Sequence, residues 1–327
     1  MKLKGGGSQM KKILALVLTL VLALPIGATA MAEEFIIGFD MNSNACAYCL
    51  KFATYIEEMA KAEGMTPIIT QSDGNVATQI NQAENMLIQG AKVVAGIWGD
   101  KDAALPVADL CKASDAVCVS TLTSLANEGN GYEKYIYLGS ENFDGGYLQG
   151  QYLAEKAIAE EIPQPLQIWY LYSLPGDQQG FDRKAGFEAA LNDAGVTYEI
   201  VAQEDTDNYM DRGLTVMENW VQVYGDEISI VVGCADLSVL GAITAFEAAG
   251  YDPEPVIWIG LDGQDVALES IKEGKMDMTV FQNAKGQAEA FIELCKQIRD
   301  GADAATIEDI NVPFESITIE NVDNYSW

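Results

Sequence analysis

Short apolar runs rich in β-branched residues alternate along the chain with longer stretches whose apolar positions recur every three to four residues. The short runs predict strands at Phe35–Phe39, Thr66–Thr70, Lys92–Trp98, Ala116–Thr121 and Tyr135–Gly139. The longer stretches predict helices over Ala45–Ala62, Val76–Gln89 and Ala103–Ala113; in the first, Leu50, Ala53, Ile56 and Met59 or Ala60 stand at helical spacing. The rhythm then resumes. Strands are expected at Leu166–Tyr172, Thr197–Ala202, Ile228–Val232, Val256–Gly260, Met276–Gln282 and Ile317–Glu320. Helices are expected over Phe143–Glu160, Gln178–Ala194, Asp211–Val223, Leu237–Ala249, Gln264–Glu273 and Ala284–Asp300. Repeated βα units specify an α/β protein, here two doubly wound parallel-sheet lobes of similar size. Ligands of such sheets sit beyond the carboxyl ends of the strands. The loops to watch are therefore 40–44, 98–102, 121–124, 173–178, 234–236, 261–263 and 282–283. They are rich in amides, hydroxyls and carboxylates, with aromatics at the edges, which suits a polyhydroxyl ligand.

Ahead of the first strand the pattern changes. Lys11 and Lys12 precede a short apolar run, Ile13–Leu24, which Pro25, Ile26 and Gly27 break. The small-x-small triplets Ala28-Thr29-Ala30 and Ala30-Met31-Ala32 follow. This is the layout of an export signal, with cleavage expected after Ala32. The apolar run is too short to span a bilayer. Residues 1–9 are unusual for a signal, so Met10 is an alternative start. Without a cysteine at the cleavage point, a soluble periplasmic or extracellular product is expected rather than a lipid-anchored one.

Composition narrows the chemistry. The 327 residues contain no histidine, which removes Ser-His-Asp triads, Cys-His pairs and His-ligated zinc. The net charge of −30 repels phosphate backbones, so nucleic acid is not an expected partner. No phosphate-binding or dinucleotide-binding glycine loop occurs, and no cofactor or metal is expected. The alternative to a binding protein is an exported carbohydrate-active enzyme using paired carboxylates, which the 49 acidic residues do not exclude. A sugar-sensing regulator would need a DNA-binding motif where this chain has an export leader.

Five stretches, in order, carry a resemblance: IIGFDMNSNACAYCLKF (36–52), NQAENMLIQGAKVV (81–94), GSENFDGGYLQGQYL (139–153), GFDRKAGFEAAL (180–191) and IGLDGQDVALESIKEGKMDMTVFQ (259–282). Together they resemble the periplasmic solute-binding proteins of the ribose and galactose type, the type I binding proteins that serve ABC sugar importers. The resemblance runs from Ile36 to about Ile319. It implies two lobes crossed three times by the chain, near Gly139–Ser140, Gln282–Asn283 and Pro313–Glu315. One lobe would comprise 33–139 plus 283–313, the other 140–282 plus 314–327. It also implies a monomer that closes on a sugar or polyol and docks on a membrane permease powered by an ATPase. Residue by residue, it implies ligand roles for Asn44, Arg183, Asp262 and Gln282. The sequence departs from the family's pattern elsewhere. Cys46 and Ala47 replace a pair of stacking Phe residues, Thr121 and Leu122 an Asp-Arg pair, Ala235 an Asn before Asp236, and Asn208, beside Tyr209, a Phe. Thr121, Asn208 and Asp236 join the candidate ligand residues on position. Ribose or galactose specificity does not carry over.

Other features admit a plainer reading. Cys46-Ala-Tyr-Cys49 sits where a strand gives way to a helix, the setting of a redox motif. A structural disulfide or two packed thiols is the favoured reading, and Cys111 with Cys118 form a second possible bridge. The run Asp205–Asp211 lacks the glycine and closing glutamate of a calcium loop, so a solvated loop is expected. Trp98 ends a strand at the expected cleft and is either a core aromatic or a ligand-stacking ring; Tyr48 and Tyr209 are similar candidates.

Overall fold

The computed structural model of the protein describes Met1 and residues 34–43, 46–102 and 104–327. The expected export signal and Asn44 lie outside these residues. Two six-stranded sheets carry the fold. The first contains β1 (Ile36–Asp40), β2 (Thr66–Thr70), β3 (Val93–Gly96), β4 (Val117–Ser120), β5 (Tyr135–Gly139) and β11 (Ile310–Asn311). The second contains β6 (Leu166–Tyr172), β7 (Tyr198–Asp205), β8 (Ile230–Gly233), β9 (Ile257–Ile259), β10 (Met278–Phe281) and β12 (Glu315–Thr318).

The helices of eight or more residues are α1 (Ala47–Ala62), α2 (Val76–Ile88), α3 (Pro106–Ala113), α4 (Asn142–Ala159), α5 (Gln178–Asp193), α6 (Met210–Val223), α7 (Asp236–Ala248), α8 (Asp265–Lys272) and α9 (Ala284–Arg299). The strand orders are β2-β1-β3-β4-β5-β11 and β7-β6-β8-β9-β10-β12, the same winding twice. Every pairing is parallel except β12 on β10. The chain passes between the sheets after β5, after β10 and after β11.

The period-2 alternation of side chains explains why these strands read as continuous apolar runs. On one face of the first sheet, Ile37, Phe39, Val93, Ala95, Val117 and Val119 join a core with α1 and α9. On the other, Val94 and Cys118 pack with Met86, Trp98 and Cys111. The second sheet repeats the scheme: Ile168, Tyr170, Ile230 and Val232 face α4 and α5, while Trp169, Val231 and Trp258 face α6 and α7. Among the described residues, no helix is long and apolar enough to cross a membrane.

The Cys111–Cys118 bridge is not present. Both are buried thiols, and the Cys118 thiol, in hydrogen-bonding contact with Cys111, is pushed well up by that contact and by burial. They pack as small apolar groups between α3 and β4. Cys46 and Cys49 do form a disulfide, and Cys46 Sγ also accepts the Cys49 N–H at 3.1 Å, capping α1.

Candidate ligand-binding cleft

In each sheet the strand order reverses between the first and third strands of its winding, β1 and β3 or β6 and β8. Loops leaving such a switch point diverge and leave a crevice. A cleft of about 570 Å³ lies there, lined by Asn42 and Ser43 after β1, Ile97–Asp102 after β3, Ser173, Leu174, Gly176 and Asp177 after β6 and Ala235 after β8. Leu122, Thr123, Asp262, Gln264 and Gln282 complete the wall. At the mouth the two lobes touch: Lys101 Nζ donates to Gln178 Oε1 at 3.4 Å, and Gln179 Nε2 to Thr123 Oγ1 at 3.3 Å.

Arg183 organises the floor. It is 4% exposed. Its Nε donates to Asn142 Oδ1 at 3.0 Å, Nη1 to the Cys234 carbonyl at 2.7 Å and Nη2 to Gln282 Oε1 at 3.4 Å. The helix carrying it is held close by a glycine: a Cβ on Gly146 of α4 would fall 1.7 Å from the Arg183 carbonyl oxygen. A guanidinium only donates, so the Gln282 oxygen must face it. The Gln282 amide nitrogen is left buried and without a protein partner.

Asp262 lies beside Gln282. Its N–H donates to the Val280 carbonyl, and the Gln282 N–H donates back to Asp262 at 3.0 Å. Its φ of 132° lies in territory that favours glycine, a local strain held by these bonds. Gln264 Nε2 donates to Asp262 Oδ2 at 3.0 Å. Burial raises the Asp262 carboxyl, and the Arg183 charge and the Gln264 bond oppose this.

Asp236 and Thr121 stand behind the wall, not in it. Asp236 is fully buried, taking hydrogen bonds from Thr279 Oγ1 at 2.6 Å and the Gln264 N–H at 2.9 Å. It fixes the loop that carries Asp262, and burial followed by the Asp262 charge pushes its carboxyl up. Thr121 is fully buried, its hydroxyl donating to the Gly96 carbonyl, so that Leu122 and Thr123 reach the cleft instead.

Asn208 and Trp98 do line the cleft. Asp177 Oδ2 accepts from Ser173 Oγ, which accepts in turn from Asn208 Nδ2 at 2.8 Å. Because the carboxylate can only accept, the Ser173 hydroxyl takes its hydrogen bond from the Asn208 nitrogen, and Asn208 Oδ1 is left buried and without a partner. Trp98 folds over Gly96, where a Cβ would lie 2.5 Å from the indole.

Two glutamines carry no motif that singles them out in the sequence. Gln264 grips Asp262, as described. Gln287 accepts from Tyr48 Oη at 2.5 Å and donates to Ser140 Oγ at 2.8 Å, and Ser140 Oγ donates to the Val312 carbonyl at 2.5 Å. This chain joins a cleft residue to two of the three crossings. Among the described residues, no group of three or more His, Cys, Asp or Glu side chains is arranged to hold a metal.

A cleft between two similarly wound lobes, walled by hydrogen-bonding groups, defines a small-molecule binding protein. A family model described as periplasmic binding protein domain matches residues 37–303, and the chain belongs to that family. The ribose import binding protein of Bacillus subtilis is 27% identical over 285 residues, covering 84% of this chain and 88% of that protein. A solute-binding protein of an ABC transporter from Bacillus halodurans, solved with bound myo-inositol, superposes with a TM-score of 0.79 at 27% identity, covering 91% of this chain and 99% of that one. One from Actinobacillus succinogenes with bound D-allose, 24% identical, shares the fold with a TM-score of 0.78 over 89% of this chain and 100% of that one. The family is one of binding proteins, which decides against the paired-carboxylate hydrolase.

Proposed function

We propose that this protein captures a small polyhydroxyl ligand, a monosaccharide or cyclic polyol, between its lobes and delivers it to the permease and ATPase of an ABC importer. The lobes are 33–139 plus 283–313 and 140–282 plus 314–327. The reading includes export with removal of residues 1–32 and action as a monomer. The observation that carries it is the Arg183–Gln282–Asp262 array on the cleft floor, where the Gln282 amide nitrogen is buried without a partner and the Asp262 carboxylate lines the cleft beside it. Such groups match the alternating donors and acceptors of a hydroxylated ring. Similarity to proteins named for ribose and solved with myo-inositol or D-allose supports the same ligand class. Ligand held on one lobe offers contacts to the other and shifts the population toward closure.

A thermal-shift screen of monosaccharides and cyclic polyols tests the reading, because a ligand that binds only the folded state raises the melting temperature. One or more sugars or polyols should raise it in a concentration-dependent way. Stabilisation by amino acids or nucleobases alone, or turnover of glycosides, would reverse the reading. Intact mass of the exported protein should give Glu33 as the first residue.

A further inference from the structure

Three loops of the first lobe wall the cleft: Asn42 and Ser43 after β1, Asp73 and Gly74 after β2, and Ile97–Asp100 after β3. Their strands are neighbours in the order β2-β1-β3, so the loops leave the sheet side by side. Asn42 and Asp73 have φ of 67° and 50°, in the left-handed region that favours glycine. Such torsions persist where surrounding bonds over-determine them.

Those bonds converge on two residues behind the wall. Asp40, the last residue of β1, is buried, and so is Gln79 of α2; neither lines the cleft. Asp40 Oδ1 accepts the Asn42 N–H at 3.0 Å and the Ser72 hydroxyl at 2.9 Å, and its Oδ2 accepts the Thr70 hydroxyl at 2.9 Å. Gln79 Oε1 accepts the Gly99 N–H at 3.1 Å. Gln79 Nε2 donates to the Ile97 carbonyl at 2.9 Å and, more weakly, to Asp40 Oδ1 at 3.4 Å. One buried pair thus ties all three loops together. The third loop also lies against the second: a Cβ on Gly99 would fall 3.1 Å from the Gly74 carbonyl oxygen.

Packing alone does not ask for this pair. A buried carboxyl group or amide costs free energy unless it is hydrogen-bonded, whereas apolar residues of similar volume would fill the space without that cost. What the polar pair adds is direction, since each bond fixes one loop against its neighbour. In the second lobe the loops after β6 and β7 are joined through Asp177, Ser173 and Asn208, which line the cleft themselves.

We propose, on the basis of the polyol-binding reading above, that Asp40 and Gln79 are positioning residues for ligand capture. Without touching the ligand they set the spacing of the first-lobe wall, and affinity depends on them.

Calorimetric titration of D-ribose, D-allose and myo-inositol into wild-type protein, and then of the compound bound most tightly into four variants, tests this. Gln79→Met and Asp40→Ala remove the ties and should each weaken binding about ten-fold or more. Asp40→Asn should stay within about three-fold of wild type, because its amide oxygen still accepts from Asn42 and Ser72 and its nitrogen can donate to the Thr70 hydroxyl. Ile136→Val trims the buried core of β5 away from the loops; it should lower the melting temperature yet leave affinity within about two-fold. Amide exchange of ligand-free Gln79→Met should quicken at 97–100 and stay unchanged at 173–179. Unchanged affinity in Gln79→Met and Asp40→Ala would overturn the positioning role and leave the polyol reading standing. So would an equal loss in Asp40→Asn or Ile136→Val, or exchange that quickens in both lobes alike. Binding of none of the three compounds by the wild-type protein would overturn both.

Discussion

Arg183→Met removes the group that holds the cleft floor together and leaves most of its volume filled. The substitution strands three acceptors: Asn142 Oδ1, the Cys234 carbonyl and Gln282 Oε1. The bonds at 3.0 and 2.7 Å are full hydrogen bonds; that at 3.4 Å is weak. Hydrogen bonds from a charged donor contribute about 1.5–3 kcal/mol, and a buried acceptor left without one costs about 1–3 kcal/mol. Two strong bonds give about 3–6 kcal/mol. Water entering from the cleft recovers part of this, so a net loss of about 2–4 kcal/mol is expected. At roughly 2 °C per kcal/mol for a chain of this size, the ligand-free protein should melt about 4–8 °C lower. Differential scanning calorimetry without ligand measures it directly. On its sequence, Arg183 reads as a ligand residue in a solvated cleft, and its loss should then leave folding untouched. A melting temperature within about 1 °C of wild type would restore that reading and refute the structural role argued from its burial.

Asp262→Asn should do the opposite. It removes a buried charge while keeping the shape, so the ligand-free protein should be as stable as wild type or more so, while calorimetric titration shows binding weakened by about ten- to two-hundred-fold, or about 1.5–3 kcal/mol; tighter binding would misplace the pocket. Burial raises both Asp236 and Asp262 above 3.8, so between the ordinary carboxylate range and neutrality the folded state holds protons that the unfolded chain has released. Their contribution is fully present at low pH and is lost as pH rises through the raised values, so the ligand-free protein should be more stable at about pH 5 than at about pH 8. Asp236→Asn should flatten that slope, and an unchanged slope would count against the buried pair. Thiol titration should find the four buried cysteines reactive only after unfolding and all six only after reduction; more than four in the unfolded, unreduced protein would contradict the Cys46–Cys49 bridge.

The sheets were legible because strands buried on both faces are written as continuous apolar runs. Tyr135–Gly139 and Leu166–Tyr172 stand as expected to the residue. β11 was not legible: two residues, Ile310 and Asn311, are too few to show a period, and they become a strand only by pairing with Leu138 and Gly139. Helix starts drifted where loop residues fit the apolar period, so that α3 begins at Pro106 rather than Ala103. Position within the cleft was harder to read than position near it. Thr121 and Asp236 follow strands as a ligand residue would, but their side chains turn back to bond Gly96 and Thr279, partners distant in sequence. Gln264 and Gln287 act through partners distant in sequence, Gln287 through Tyr48 239 positions away, and no local pattern marks them.

Closure of both lobes on one ligand is the central claim, and amide hydrogen exchange followed by mass spectrometry tests it most directly. The ligand to use is the sugar or polyol giving the largest thermal shift. At saturation, protection should rise together at 97–102 on the first lobe and at 173–179, 235–237 and 262–264 on the second, all of which border the cleft. Protection confined to one lobe, or arising only away from these loops, would contradict it.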